Sequence, residues 1–193
     1  MRIISLISHL MQNLRNKRYA KRFQGFGDNS SIISPLHLQG TNNISLGNNV
    51  LIQYKTWLAC LPLTGERKCS LVIEDGCIIG NFNHIISTKL VLIHKDVLTA
   101  DKVYISDNLH GYDNIKMPIH KQPIVQKGTV EIGEGSWIGE NVCIIGANVG
   151  KHCVIGANSV VTHDIPDYSV AVGAPAKVIK IYDFGHGRWL GGG

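Results

Sequence analysis

The stretch from Val130 to Val161 constrains this chain more than any other. Ile132, Ile138, Ile144, Val149, Ile155 and Val161 follow one another every six positions, except for one interval of five between Ile144 and Val149. A helix repeats its apolar face about every 3.6 residues and a strand every second residue. A period of six matches neither, but it matches a short strand plus a tight corner. Three such units close one triangular coil, and stacked coils form a parallel β-helix. The aliphatic residue then points into the prism. The residue after it, usually Gly, sits near a corner where glycine tolerates a backbone that bulkier residues resist. An ordinary β-rich domain with many Ile-Gly pairs gives no reason for the beat to hold this long. The five-residue interval implies a shortened corner.

At 193 residues, 44% hydrophobic and 17% charged, the chain is long enough and apolar enough to bury a core as one folded domain. Its 21 glycines suit a corner-rich repeat. A net charge of +5 permits an anionic partner such as a phosphorylated cofactor. No nucleic-acid reader motif accompanies that charge, so no nucleic-acid partner is expected. The cysteines Cys60, Cys69, Cys77, Cys143 and Cys153 are odd in number and contain no CxxC pair. That fits a reducing, cytoplasmic compartment, with Cys143 and Cys153 as small core residues. No apolar run reaches membrane-spanning length, and the apolar start, Met1 to Met11, lacks the layout of a signal peptide.

In chain order, Ile3, Ile4, Ile7, Leu10, Met11 and Leu14 recur at helical spacing and are followed by Arg15, Lys17, Arg18, Lys21 and Arg22. This is an amphipathic helix with a basic end, expected to pack on the domain or on a neighbouring subunit rather than on a membrane surface. The aliphatic beat starts at Ile44, breaks at Leu61 to Lys68 as a polar hairpin tip, and resumes at Leu71. It breaks again after Asp107-Asn108-Leu109-His110, and the stretch up to Gly128 has no beat, as in a loop thrown out from the wall. The expected organisation is a helix over 1–24, a β-helix domain over 25–181 with a protruding loop at 111–129, and a flexible tail over 182–193.

Nine histidines invite a search for metal ligands. No HxH or HxxxH occurs, and His84/His94 and His110/His120 fall on different beats, so no metal is expected. No GxSxG is present and no cysteine departs from a structural role, which leaves a lone base. His110 stands where the beat breaks, beside Asp107 and Gly111. An imidazole there accepts a proton from a hydroxyl or amine at neutral pH, or else it is a surface or cap histidine. Lys177 and Lys180 meet phosphates or form a solvated basic edge. Trp137 sits at an outward position, lining a pocket or covering a subunit contact. Asn81 and Asn83 flank Phe82 in a turn, where asparagine is usually structural.

From Ile44 to Ile181 the chain resembles the hexapeptide-repeat acyltransferases of the left-handed β-helix family. Within it the likeness is to the galactoside, maltose and capsule or O-antigen sugar O-acetyltransferases. The residues that carry the resemblance are Trp137-Ile138-Gly139, Val154 to Thr162, Asp164-Ile165-Pro166 and Gly173-Ala174-Pro175-Ala176-Lys177-Val178-Ile179. The resemblance implies an all-β, left-handed coil, a homotrimer with active sites between subunits, and acetyl-CoA lying along the wall. It puts His110 on the family's catalytic histidine. It puts Asn81 on the substrate side, and Asp107, near His110 in the sequence, is expected there too, influencing the orientation of that ring. It puts Gly139, Ala157, Thr162 and His163 against the cofactor and Lys177 and Lys180 at its phosphates. The implied activity is acetyl transfer to a sugar hydroxyl in surface polysaccharide synthesis. An amino sugar or an antibiotic as acceptor is the alternative, and a non-enzymatic scaffold or a zinc-dependent member stands further off. Two departures stand out. Asn108 occupies the place where polysaccharide-type members often carry a second histidine, and the short corner at 144–149 is expected to reshape part of the cofactor groove.

Overall fold

In a computed structural model, which describes residues 11–12 and 14–191, the chain winds as a parallel coil with three flat walls. The first wall stacks Gly25–Phe26, Ile44–Leu46, Ser70–Ile73, Leu90–Ile93 and Val130–Ile132, and single bridges at Val149 and Ile165 continue it. The second runs from Ser31–Ile32 through Leu98–Thr99 and Trp137–Ile138 to Ser169–Val172. The third stacks His37–Gln39, Trp57–Cys60, His84–Ser87, Tyr104–Ser106, Cys143–Ile145 and Val160–Val161.

Every residue of the beat faces inward. Ile132, Ile138, Ile144, Ile155 and Val161 are 0% exposed and Val149 is 2% exposed. Each is stabilised by about 1.5–3 kcal/mol of apolar burial. The coil begins earlier than Ile44, because Ile32 is buried and Phe26 and Leu38 pack on the core. The glycine after each aliphatic has a reason other than the one expected. Gly139 has no positive φ; the left-handed corner positions are Asn141 and Asn158, at φ 56° and 61°. A Cβ on Gly139 would instead stand 2.7 Å from the Ala157 nitrogen on the next coil. Cys153 is buried as expected, but Cys143 faces outward in register with Tyr104 and Val160.

The short interval is a corner of two residues, Ile145 and Gly146, between the inward Ile144 and Ala147. Gly146 has φ +57°, and a Cβ there would lie 2.5 Å from the Lys127 side chain. The shortened corner therefore seats the returning end of the 107–129 excursion. Both excursions, 61–69 and 107–129, leave the coil at the same corner, between the third and first walls.

Residues 11–12 and 14–20 are helical. Gln12 donates from Nε2 to the Ile32 carbonyl at 2.7 Å, and the Ile32 N–H donates to Asn16 Oδ1 at 3.3 Å. These polar groups cover an open strand edge that water or another chain would otherwise take. Met11 and Leu14 are 54% and 55% exposed, while Tyr19, further along the helix, packs on the core. Ile3, Ile4, Ile7 and Leu10 lie outside the described residues. At the other end, Lys177–Asp183 and Arg188–Gly191 form an antiparallel hairpin on the second wall. The flexible tail expected over 182–193 is thus corrected for 182–191. Tyr182 stacks edge-on with Trp189 at 5.3 Å, and this contact gives the glycine-rich end a reason to fold.

Candidate active site

His110 ends the strand Asn108–His110, which pairs antiparallel with Ile124–Gln126 and carries the ring away from the coil. The Gly111 N–H donates to the Pro123 carbonyl at 2.8 Å and closes the hairpin beyond it. Among the described residues, side-chain hydrogen bonds to histidine rings are made at His94, His163 and His186, leaving the His110 ring without one. The exposed His110 lines a cleft of about 240 Å³ on the outside of the third wall. The floor is Trp57, Ala59, Ile86 and Tyr104. One side is Leu61 and Leu63 of the first excursion, and the other is Leu109 and Ile124 of the hairpin. No Lys, Arg, Asp or Glu lines the cleft. Trp57 is held between His37 and His84, at ring distances of 5.3 and 5.4 Å, and donates from Nε1 to Gln39 Oε1.

Asp107, expected beside the substrate and the His110 ring, makes no hydrogen bond to that ring. It is 0% exposed. Its carboxylate accepts from the backbone N–H groups of Thr88, Lys89 and Leu90 at 2.7–3.0 Å, from Thr88 Oγ1 at 2.9 Å and from Asn108 Nδ2 at 2.8 Å. It anchors the point where the hairpin leaves the coil. Asn81 is likewise outside the cleft. It sits at the corner between the second and third walls, where its side chain donates to Asp101 at 3.1 Å and accepts from the Tyr54 N–H at 3.1 Å. Asn83 is buried and bonds Ala100 and Thr99, as a structural turn residue does.

Gly139 and Ala157 stack at the same corner as Asn81, further along the coil. Thr162 and the exposed His163 stand at the opposite corner of the third wall, with Thr162 Oγ1 3.1 Å from His163 Nδ1. Together these four bracket the wall beyond Tyr104. Thr162 lies two strands past the Ser106 level, about 10 Å along the axis. Lys177 and Lys180 lie opposite Val172 and Val170, with a bulge between them. In a regular strand, residues three apart face opposite sides, and the extra residue puts both lysines on the outer face. Trp137 is 50% exposed on the outer second wall, in register with Leu98 and Val154.

His94 lies between Glu74 and Glu131, at 3.3 and 3.6 Å, away from His84, and no group of metal-holding side chains occurs among the described residues. Cys60 and Cys69 close the base of the first excursion as a buried pair, Sγ to Sγ 3.3 Å. Burial, with the Cys69 thiol beside it, pushes Cys60 far above the ordinary thiol range. No described helix is long and apolar enough to cross a membrane.

Sequence reasoning expected the acceptor to be read by the loops Cys60 to Ser70 and Asp113 to Gly128, which hold Leu63 and Gln126, but missed Trp57. No local motif marks Trp57, because the cleft gathers residues from several coils. The class defined by the coil and this site is that of the hexapeptide-repeat proteins, and a family model described as "hexapeptide repeat of succinyl-transferase" matches residues 129–163. A putative lipopolysaccharide biosynthesis O-acetyl transferase of Escherichia coli K12 is 32% identical over 162 residues, covering 80% of each chain. A probable acetyltransferase of Mycobacterium tuberculosis is 46% identical over 113 residues, 58% of this chain but 37% of the relative's length. In structure, the N-acyltransferase AntD of Bacillus cereus superposes with a TM-score of 0.70 at 18% identity, over 86% of this chain and 88% of its own. The chain belongs to the hexapeptide-repeat acetyltransferases and is an acyltransferase by that membership.

Proposed function

We propose that the protein is an acetyl-CoA-dependent O-acetyltransferase that acts on a sugar hydroxyl in surface-polysaccharide biosynthesis, with His110 as general base. The observation that carries this reading is an unpaired imidazole at the mouth of an uncharged cleft. The name of the Escherichia coli relative supports the sugar pathway. The neutral His110 ring takes the proton of the acceptor hydroxyl as its oxygen attacks the thioester carbonyl. A backbone N–H of a coil holds the oxyanion. Collapse of the tetrahedral intermediate breaks the C–S bond, and the imidazolium returns its proton to the departing thiolate.

Gly139, Ala157, Thr162 and His163 bracket the stretch of third wall along which the pantetheine arm lies in this reading. Lys177 and Lys180 meet the phosphates as point charges. The coil is left-handed, and three copies associate so that each site lies between neighbours. The outward ladder of Ile78, Leu98 and Trp137, 38–50% exposed, supplies an apolar surface for that contact. The enzyme works in the cytoplasm, where its acyl donor is made.

N-acyl transfer to an amino sugar is the second reading, favoured by the likeness to an N-acyltransferase that is complexed with dTDP and coenzyme A. Thiol release from acetyl-CoA with a panel of sugar and amino-sugar acceptors tests both readings. A product cleaved by hydroxylamine is an ester and supports the first. A resistant product is an amide and supports the second.

A further inference from the structure

We propose that the cleft beside His110 is an acceptor subsite for a neutral sugar with a deoxygenated edge, its ring on Trp57 and its methyl group against Leu61 and Leu63. This rests on the acetyltransferase reading above. The cleft runs along the third wall from Tyr104 back to Trp57, two strands and about 10 Å, the span of a pyranose. It extends away from the coils that carry Gly139, Ala157 and Thr162, so it lies on the acceptor side of the histidine.

Three features define what it takes. First, its lining has no charged side chain, so a carboxylate or phosphate placed there would lose its hydration without a partner. Acidic sugars are thereby disfavoured. Second, Trp57 is fixed in orientation by two flanking rings and by its bond to Gln39, which makes it a rigid aromatic surface for the carbon face of a sugar. Third, Leu63 is 55% exposed at the tip of the first excursion, yet it lines the cleft. An exposed leucine aimed at a binding cleft has a use when an apolar group arrives. A primary hydroxyl in the same place gains nothing from the two leucines, whereas a methyl group buries apolar surface against them. The charged residues of that excursion, Glu66, Arg67 and Lys68, are not among the lining.

The experiment measures acetyl transfer to matched pairs of p-nitrophenyl glycosides, each a hexoside and its 6-deoxy counterpart, with the corresponding uronide as a third member. The wild-type enzyme is expected to favour the 6-deoxy member of an accepted pair by roughly 10–100-fold in kcat/KM and to leave the uronide unused. Leu63→Asn should bring that ratio close to one, and because the side chain is half exposed, its melting temperature should stay that of the wild type. Equal or better use of the hydroxymethyl or carboxylate sugars overturns the proposal. So does a Leu63→Asn enzyme that keeps its sugar preference but changes its choice between acetyl-CoA and butyryl-CoA, which would make the cleft an acyl pocket. Failure to acetylate any glycoside, with thiol release to other acceptors, overturns the sugar reading itself and this inference with it.

Discussion

Thr64 Oγ1 donates to Gln126 Oε1 at 2.6 Å, joining two excursions that leave the coil two turns apart. The same oxygen lies 3.0 Å from Thr88 Oγ1, whose proton is shared with the Asp107 carboxylate, while Gln126 Nε2 donates to the carbonyls of Asp107 and Gly128 at 2.8 and 2.6 Å. One amide thus fixes the side of the cleft that carries Leu61 and Leu63 to the hairpin that carries His110. Each such bond contributes about 0.5–1.5 kcal/mol net. Gln126→Leu should raise the acceptor KM and lower kcat/KM for the acceptor on the order of tenfold, with the KM for acetyl-CoA unchanged. Steady-state kinetics with each substrate varied in turn checks this. Unaltered acceptor kinetics would mean that the excursions are held by other contacts.

Asp107 gives a different expectation from the one its place beside His110 suggests. Its buried carboxylate serves three backbone N–H groups of the next corner, 88–90. Asp107→Ala should destabilise the fold by about 3 kcal/mol or more, because those donors lose a charged acceptor. Denaturant unfolding measures it. A stable variant that has lost only turnover would return Asp107 to the orienting role beside His110.

The contrast between these residues shows what was legible in the sequence. The beat from Ile132 to Val161 is written in local spacing, and every one of its residues is buried. His110 was visible because the beat stops there. The role of Asp107 depends on the backbone of 88–90, a neighbour only after the coil has turned once. The expected domain start at 25 took in the first coil, but its beat was read only from Ile44, because Phe26, Ile32 and Leu38 lack the Ile-Gly pairing of the later coils. The tail read as flexible because glycines outnumber its cues, although Trp189 had a partner in Tyr182. The short corner was read correctly as short. Its use, seating Lys127 and Gly128, required knowing where the long excursion returns.

Lys177 and Lys180 share the outer face through the bulge beside Val170 and Ala171. Changing both to Ala should weaken coenzyme A binding about tenfold or more at low salt and flatten its dependence on ionic strength. Titration calorimetry at two salt concentrations checks both effects. Equal affinity and an unchanged salt slope would move the phosphates elsewhere.

Cys77 is 0% exposed, and burial raises its thiol from 9.0 to about 11. Below pH 9 the thiol is protonated in both the folded and the unfolded chain, and its contribution to stability is complete. As pH climbs from about 9 toward 11 only the unfolded chain ionises, so stability falls, by on the order of 2–3 kcal/mol from this group. Cys77→Ala should lose less stability than the wild type between pH 8 and pH 10.5, whatever its starting value. Parallel losses in urea titrations would show that other groups carry the effect.

The measurement closest to the central claim is the single-site kinetics of His110→Ala. A general base contributes about 10²–10⁴-fold to rate. The variant should lose kcat within that range on any accepted sugar, while its affinity for coenzyme A and its melting temperature match the wild type, since the exposed ring meets the cleft and not the phosphates. His84→Ala and His120→Ala, measured beside it, should change kcat less. Full turnover in the His110 variant, or loss of coenzyme A binding together with turnover, would contradict its assignment as the base.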